Sequence, residues 1–327
     1  MKIGKLPEPV LIRSVLKRVN HRRDEVLVGP AVGQDCAALC VGPDEALVMS
    51  ADPITGTTKD IGSLSVYITT NDLAAAGAEP LGVMLTVMLP EAVEEPELRK
   101  MMEDVERTCA ALNVEVLGGH TEITDVVKQA LISVTGVGKI KKDHLTTLKG
   151  IEADQDLVVT KWIGLEATTI IAKEKEAELA ARFSPKLIRT AKEFDQYLSV
   201  IPESRIAVEH GISAMHDITE GGIFGALWEM ASGADLGVEI DLKKIPIRQE
   251  TVEVCEFFNV NPYLIMSSGS MLIATKDGNG LVRRLEAAGI HAAVIGRTNN
   301  SNDRIIRNGE DVRYLDKPQT DELYKVI

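Results

Sequence analysis

Apolar positions follow two rhythms along this chain. Short continuous or alternating runs at residues 37–41, 46–49, 81–89, 114–117, 130–140, 156–160, 212–218, 238–242, 267–275, 292–298, 303–307 and 312–314 predict strands. Stretches with apolar residues three and four apart, at 7–19, 61–77, 94–112, 164–181, 185–198, 204–210, 222–232, 251–257 and 280–288, predict helices. The helix at 94–112 opens on Glu94, Glu95 and Glu97, the charge sign that a helix dipole favours there. Gly42-Pro43-Asp44-Glu45 reads as the turn of a hairpin between the first two strands. Strands and helices are mixed in both halves, so the expected class is α/β to α+β, with helical layers covering sheets. The polar stretch 141–154 reads as a seam, which gives expected domains 1–143 and 144–327.

One stretch breaks the rhythm. The apolar run 46–49 is followed by Asp52, and Pro53 is expected to end strand pairing there. The next predicted helix is rich in Ala and Leu, yet it carries Asn71-Asp72 in its middle. These side chains compete for backbone hydrogen bonds and suit a helix interior poorly. Their presence predicts that they face something other than solvent. A strand-end acid and a mid-helix acid supply hard oxygen ligands from separate elements, as Mg²⁺ bound with phosphate requires. Read singly, Asp52 could cap a turn and Asp72 could be solvated.

Three further loops set an acid beside glycine. Residues 29–38, GPAVGQDCAA, hold Gly33 and Asp35, and glycines let backbone N–H groups approach an anion. Gly118-Gly119-His120-Thr121-Glu122 is expected to follow the strand at 114–117 and leave donors free at the sheet end. His120 and Thr121 could bond phosphate oxygens there, and Glu122 could hold Mg²⁺ or a ribose hydroxyl. Residues 216–222, HDITEGG, place Asp217 ahead of Gly221-Gly222 and a helix whose first N–H groups point at whatever lies before it. Ser267-Ser268-Gly269-Ser270 is at best a backbone anion loop. No GxxxxGK[ST], strand-linked GxGxxG, CxxC or Ser-His-Asp signature occurs, so phosphate binding would rest on acids, Mg²⁺ and free amides.

Composition narrows the partners. The formal net charge of -13 argues against nucleic acid or an anionic membrane, both of which need a positive face. Aromatic residues are 4% against 45% hydrophobic, so the cores are built from aliphatic side chains. Cys36, Cys40, Cys109 and Cys255 show no zinc spacing and are expected to be reduced. The first residues lack a signal-peptide pattern, and no apolar run nears the roughly 20 residues of a membrane helix. A soluble, cytoplasmic protein is expected.

The pattern SADPITGTT…NDLAAAGAEP, with GGHTE and HDITEGG, resembles the aminoimidazole ribonucleotide synthetase (PurM) superfamily, which also holds selenophosphate synthetase, thiamine-monophosphate kinase and HypE. The spacing looks closest to the HypE-like, AIR synthase-related branch, and the resemblance covers nearly the whole chain. It implies a two-domain PurM-like fold: an N-terminal α/β domain whose sheet or barrel pairs across a homodimer, and a C-terminal α+β domain. It implies ATP as substrate, Mg²⁺ as cofactor and a small second substrate whose carbonyl or amide oxygen is activated by phosphorylation. The residues it points to in catalysis are Asp52, Asp72 and His120. Asp35, Asp52, Asp72, Glu122 and Asp217 would hold metal. Gly33, Asp35, Asn71, Gly118, Gly119, Thr121, Gly221 and Gly222 would contact the nucleotide. The chain departs from its relatives at Gln34 and Cys36, where a further acid is usual, and at Glu220, where Arg or Asp is usual. No cysteine follows Cys255, so the tail thiol that HypE modifies is not expected to be the substrate. A nucleotide-binding scaffold that has lost its chemistry, and a thiamine-monophosphate-kinase-like phosphotransferase, stay open as alternatives.

Overall fold

The computed structural model describes residues 8–14, 16–18, 24–34, 36–54, 59–318 and 320–327. In the first half, helix α1 (Glu8–Ser14) leads to strands β1 (Val26–Val28), β2 (Ala37–Cys40) and β3 (Glu45–Ile54). Helix α2 (Ile61–Ala75), strand β4 (Glu79–Leu89), helix α3 (Glu95–Leu112) and strands β5 (Glu115–Ile123) and β6 (Leu131–Lys141) follow. The second half begins with strand β7 (Asp156–Thr160), helices α4 (Leu165–Glu174), α5 (Glu176–Ala180), α6 (Pro185–Lys192) and α7 (Ile201–His210), and strand β8 (Ala214–Asp217). It continues with helix α8 (Gly222–Ala234), strand β9 (Gly237–Asp241), helix α9 (Gln249–Phe257), strand β10 (Met271–Thr275) and helix α10 (Gly278–Ala287). Strands β11 (Ala292–Asn299), β12 (Arg304–Asn308) and β13 (Asp311–Tyr314) close it.

The strands make two mixed sheets, one in the order β1-β2-β3-β6-β4-β5 and one in the order β13-β12-β9-β11-β7-β10-β8. Alternation decides their faces. On β3, Ala46, Val48, Ser50 and Ile54 are buried beneath α2, and on β4 so are Val83, Leu85, Val87 and Leu89. The hairpin expected at residues 42–45 is present, with Ala37–Cys40 paired antiparallel to Ala46–Met49.

Two expectations are corrected. Pro53 does not end β3, which runs on to Ile54 with Pro53 opposite Ser133 of β6. By that point β2 has ended, so one side of the strand is open and a proline is tolerated. Gly118-Gly119 does not end β5 either, because GGHTE lies inside the strand. A Cβ at Gly119 would sit 1.9 Å from the Leu85 carbonyl oxygen, so the glycine lets β5 close against β4 across a bulge.

Helix α2 is buried on nearly every side, between the first sheet and the second domain. Polar bonds fix that seam. The Asn71 side chain donates from Nδ2 to the Leu198 carbonyl at 2.8 Å, and its Oδ1 accepts from the Val200 N–H at 3.0 Å. The Ser204 hydroxyl donates to the Ala74 carbonyl at 2.6 Å. From the opposite side, Lys161 Nζ donates to the carbonyls of Tyr197 and Ser199, both at 2.7 Å, and pairs with Glu203 at 2.6 Å. The segment 197–200 is thus gripped by α2 of the first half and by Lys161, just after β7, in the second. Lys161 and Glu203 are both buried, and burial holds the lysine below its ordinary pKa despite Glu203.

Candidate active site

Asp52 and Asp72 meet at one hydroxyl. Alternation along β3 turns Ser50 and Asp52 to the face covered by α2, and Asp72 sits on the turn of α2 above them. The Ser50 Oγ lies 3.0 Å from Asp52 Oδ2 and also bonds Asp72 Oδ2. Asp72 is 6% exposed and Asp52 half-buried, so the pair sits at the edge of the interior. Ser50 was not singled out from the sequence. Its signal was the run Ala46, Val48, Ser50, Asp52 on a single face of the strand. Asn71, one residue before Asp72, points into the seam and is fully buried. It holds the helix instead of reaching a ligand.

The glycine loop comes to the same place. Gly33, Gln34 and Cys36 share a small cleft with Asp72, Ala75, Ala76, Thr146, Thr147, Leu148 and Met215. Asp35 lies outside the described residues. Cys36 is buried and donates its Sγ–H to the Asp72 carbonyl at 3.2 Å. From the second domain, Met215 enters this cleft, and Asp217, two residues on along β8, shares its side of the strand. His216 points the other way, to Glu229 of α8 at 3.0 Å. The Glu229 carbonyl packs under Gly33, where a Cβ would meet it at 2.8 Å, so this pair supports the loop from beneath.

His120, Thr121 and Glu122 are not brought to Asp52 and Asp72 within one chain. His120 is opposite Thr86, Thr86 opposite Ser133, and Ser133 opposite Pro53. His120 therefore lies three strands from β3, about 14 Å away. It also lies on the face opposite to Asp52. It bonds Glu122 at 3.0 Å, and both are exposed. Gly118 and Gly119 belong to this same outer edge. The Ser267–Ser270 loop is structural, because Ser267 Oγ accepts the Gly164 N–H at 2.8 Å and donates to the Ile265 carbonyl.

Gly221 and Gly222 take φ values of 85° and 61° and open α8 as expected, but the Gly221 N–H is already used. It donates to Asp321 Oδ2 at 2.6 Å, and Asp321 Oδ1 accepts from Leu323 and Met266 N–H groups. A carboxylate of the chain itself thus sits where a phosphate was expected. Burial pushes the Asp321 carboxyl up to about 6, with Glu220 adding to the push against those three N–H donors. Burial likewise pushes the Glu166 carboxyl up to about 7, with Asp321 and Glu220 adding to it against Ser268. These two acids ionise in the unfolded chain before they ionise in the folded one. Their contribution to stability is therefore full below about pH 4 and is lost as pH rises through about 7. The unfolding free energy from urea titration is expected to fall between about pH 5 and pH 8, and Glu166→Gln to remove on the order of 2 kcal/mol of that fall. A Glu166→Gln profile that overlays the wild type sinks this assignment.

A larger cleft of about 200 Å³ opens at the first turn of α2, lined among others by Lys59, Arg107, Lys173 and Asp195. Its charges close on one another across the seam: Lys173 pairs with Asp60 at 2.7 Å and with Asp195 at 2.8 Å.

The donor set around Ser50 fits Mg²⁺. One hydroxyl uses one of a carboxylate's roughly four acceptor positions, and Mg²⁺ is commonly held by one or two carboxylates with water and phosphate completing its shell. No group of three acidic, His or Cys side chains able to cage a metal occurs among the described residues, which suits a metal that arrives with its phosphates. No helix among them is long and apolar enough to cross a membrane.

Residues 33–140 match the profile of the AIR synthase related protein N-terminal domain, and residues 152–307 that of its C-terminal domain. A protein named for hydrogenase expression and formation in Methanocaldococcus jannaschii is 26% identical, over 99% of this chain and 97% of its own. The carbamoyl dehydratase HypE of Cupriavidus necator is 25% identical, over 85% of this chain and 78% of its own. A crystal structure of the hydrogenase maturation protein HypE in complex with ATP superposes with a TM-score of 0.74 at 18% identity, covering 98% of this chain and 96% of that one.

Proposed function

The chain belongs to the AIR synthase related protein family and has its PurM-like fold, and from that premise we propose an enzyme that binds ATP with Mg²⁺ and phosphorylates a carbonyl or amide oxygen of a small substrate. The observation that carries this reading is the meeting of Asp52 and Asp72 at the Ser50 hydroxyl, beside the Gly33 loop. Asp52 and Asp72 would hold the metal. Bound Mg²⁺ supplies charge neutralisation to a phosphoryl group in transfer. The protein's own part is positioning: Ser50 spaces the carboxylates, Asn71 fixes the helix that carries one of them, and the loop offers backbone donors. Names among the relatives, a carbamoyl dehydratase and an ATP-bound HypE, agree with ATP-driven activation of an amide-like oxygen. Leu323 is fully buried and Asp321 is bonded into the second domain, which favours a separate small molecule as the substrate over this segment.

Titration calorimetry with MgATP, followed by assay for ADP and phosphate with candidate amides, tests the reading. A protein that takes up no MgATP, and matches its Asp72→Asn variant in this, refutes it. Asp321 in the Gly221 amide position favours a second reading, a nucleotide-binding regulator without turnover. Binding without product release under any amide would select it.

We also propose a homodimer. Leu81, Met84, Leu117 and Ile123 are 38%, 48%, 53% and 57% exposed on and around the open β5 edge. Open strand edges and apolar patches of this kind are surfaces that a partner covers. A sedimentation mass near twice 35.5 kDa is expected, falling to the monomer value in Leu117→Glu. A wild-type mass near 35.5 kDa overturns the proposal.

A further inference from the structure

A cavity of about 250 Å³ opens in the second domain, beside the first turn of α8. Phe224, Leu264 and Ile306 form its apolar wall. Ile306 is on β12, five strands from β8 in the sheet and so about 24 Å from the strand that carries Met215 and Asp217. The cavity is therefore separate from the cleft beside Asp72. It is smaller than the roughly 300 Å³ at which pockets for drug-sized ligands begin, which suits one ring and one polar group.

Its polar side carries donors that the protein does not use. Arg313 makes no ion pair among the described residues, and its guanidinium is held over the Phe224 ring, 5.6 Å from the ring centre. Phe224 is in turn stacked on Tyr263, with centres 5.2 Å apart and 11° between the planes. A guanidinium laid on a ring is fixed in place while its fork of N–H donors stays available. Lys317 lines the same cavity and has no hydrogen bond or ion pair among the described residues. Asn261 spends its Oδ1 on the Tyr263 N–H at 3.0 Å and keeps its Nδ2 donors. Asp316 and Glu322 also line the cavity, and Glu322 is paired with Lys325 at 2.6 Å. With Lys325 counted, three cations stand against two carboxylates.

The strip of chain that closes the cavity also holds the start of α8. Thr320 and Glu322 face the cavity, and Asp321 between them accepts the Gly221 N–H at 2.6 Å. The Glu322 N–H donates to the Leu264 carbonyl at 3.2 Å, which ties the strip to the apolar wall. We propose that this cavity is an effector site for a small single-ring anion, an aryl carboxylate or aryl phosphate, and that its occupation holds Asp321 on the Gly221 amide. The ring lies against Leu264 and Ile306. The anionic group takes the Arg313 fork, with Lys317 and the Asn261 amide beside it.

The test needs no nucleotide, so its failure leaves the MgATP reading untouched. Benzoate and phenyl phosphate are titrated into the full chain by calorimetry, with a chelator present so that the acid pair at Ser50 takes no part. At least one of them should bind at one site per chain, and the tighter of the two identifies the anionic group. Benzyl alcohol, which keeps the ring without the charge, should bind at least about tenfold more weakly. Arg313→Gln should weaken the tighter anion about tenfold or more, the worth of one charge-assisted hydrogen bond. Arg313→Lys keeps the charge and loses the fork, and should fall between the two. Arg313 is exposed, so an unchanged urea midpoint in both variants is expected and separates lost binding from lost fold. At saturation, hydrogen exchange in the peptide that carries Gly221 should slow severalfold. No binding of either anion, equal affinity for benzyl alcohol, or wild-type affinity in Arg313→Gln overturns the site. Unchanged exchange at Gly221 overturns its link to Asp321.

Discussion

Asp72→Asn removes at least about 100-fold of MgATP-dependent turnover while leaving the fold in place. The substitution is nearly isosteric, and Ser50 can still donate to the amide oxygen. What it loses is a negative charge next to Asp52, at the place where a cation would be held. Nucleotide affinity in the presence of Mg²⁺ should fall with it, and affinity measured with a chelator present should not. Ser50→Ala is milder, about tenfold, because both carboxylates remain and only the hydroxyl between them is gone. Steady-state phosphate release with calorimetry on the same preparations decides this. Wild-type turnover in Asp72→Asn would remove the basis for the site.

Lys161→Met lowers unfolding free energy by about 3–5 kcal/mol, the cost of leaving a buried charge without its partner. Glu203 is 1% exposed and its salt bridge to Lys161 is 2.6 Å long. The methionine also abandons the carbonyls of Tyr197 and Ser199. Adding Glu203→Leu should restore most of the loss, since the stranded carboxylate goes too. The difference between single and double variants isolates the charge from the packing. Urea titrations of all four proteins provide the cycle. A single variant as stable as the wild type would show that the pair contributes nothing net.

Much of this was legible in the apolar rhythm, and the rest fails for identifiable reasons. The order of strands and helices follows alternation and helical spacing where an element buries one wall, and continuous apolar runs where a strand such as β7 or β10 is buried on both faces. Helix α2 has no exposed wall, so periodicity could not say which way Asn71 and Asp72 face. Neighbours on a helix differ by about 100° in direction, which sends one into the seam and the other to Ser50. Glycines mislead for a related reason. Gly118-Gly119 reads as the end of a strand because glycine weakens strands, yet here the missing Cβ lets β5 approach Leu85. The helix start at Gly221, expected to meet a phosphate, is occupied by a carboxylate of the chain itself. Its occupant, Asp321, comes from 100 residues away, and only the folded chain shows that pairing.

The joint between the halves is held by directional bonds. Oily surfaces slide over one another at little cost, because dispersion is indifferent to direction. Here four backbone groups, the carbonyls of Tyr197, Leu198 and Ser199 and the Val200 N–H, are each met by a directional partner, Lys161 on one flank or Asn71 on the other. Slipping α2 by a single residue would bare the Leu198 carbonyl, the Val200 N–H and the Asn71 amide together inside a dry interior, so intermediate placements are penalised and a single docking pose is left. The orientation of one lobe against the other is keyed in this way, and with it the distance between the Ser50 hydroxyl and whatever the far lobe presents to it.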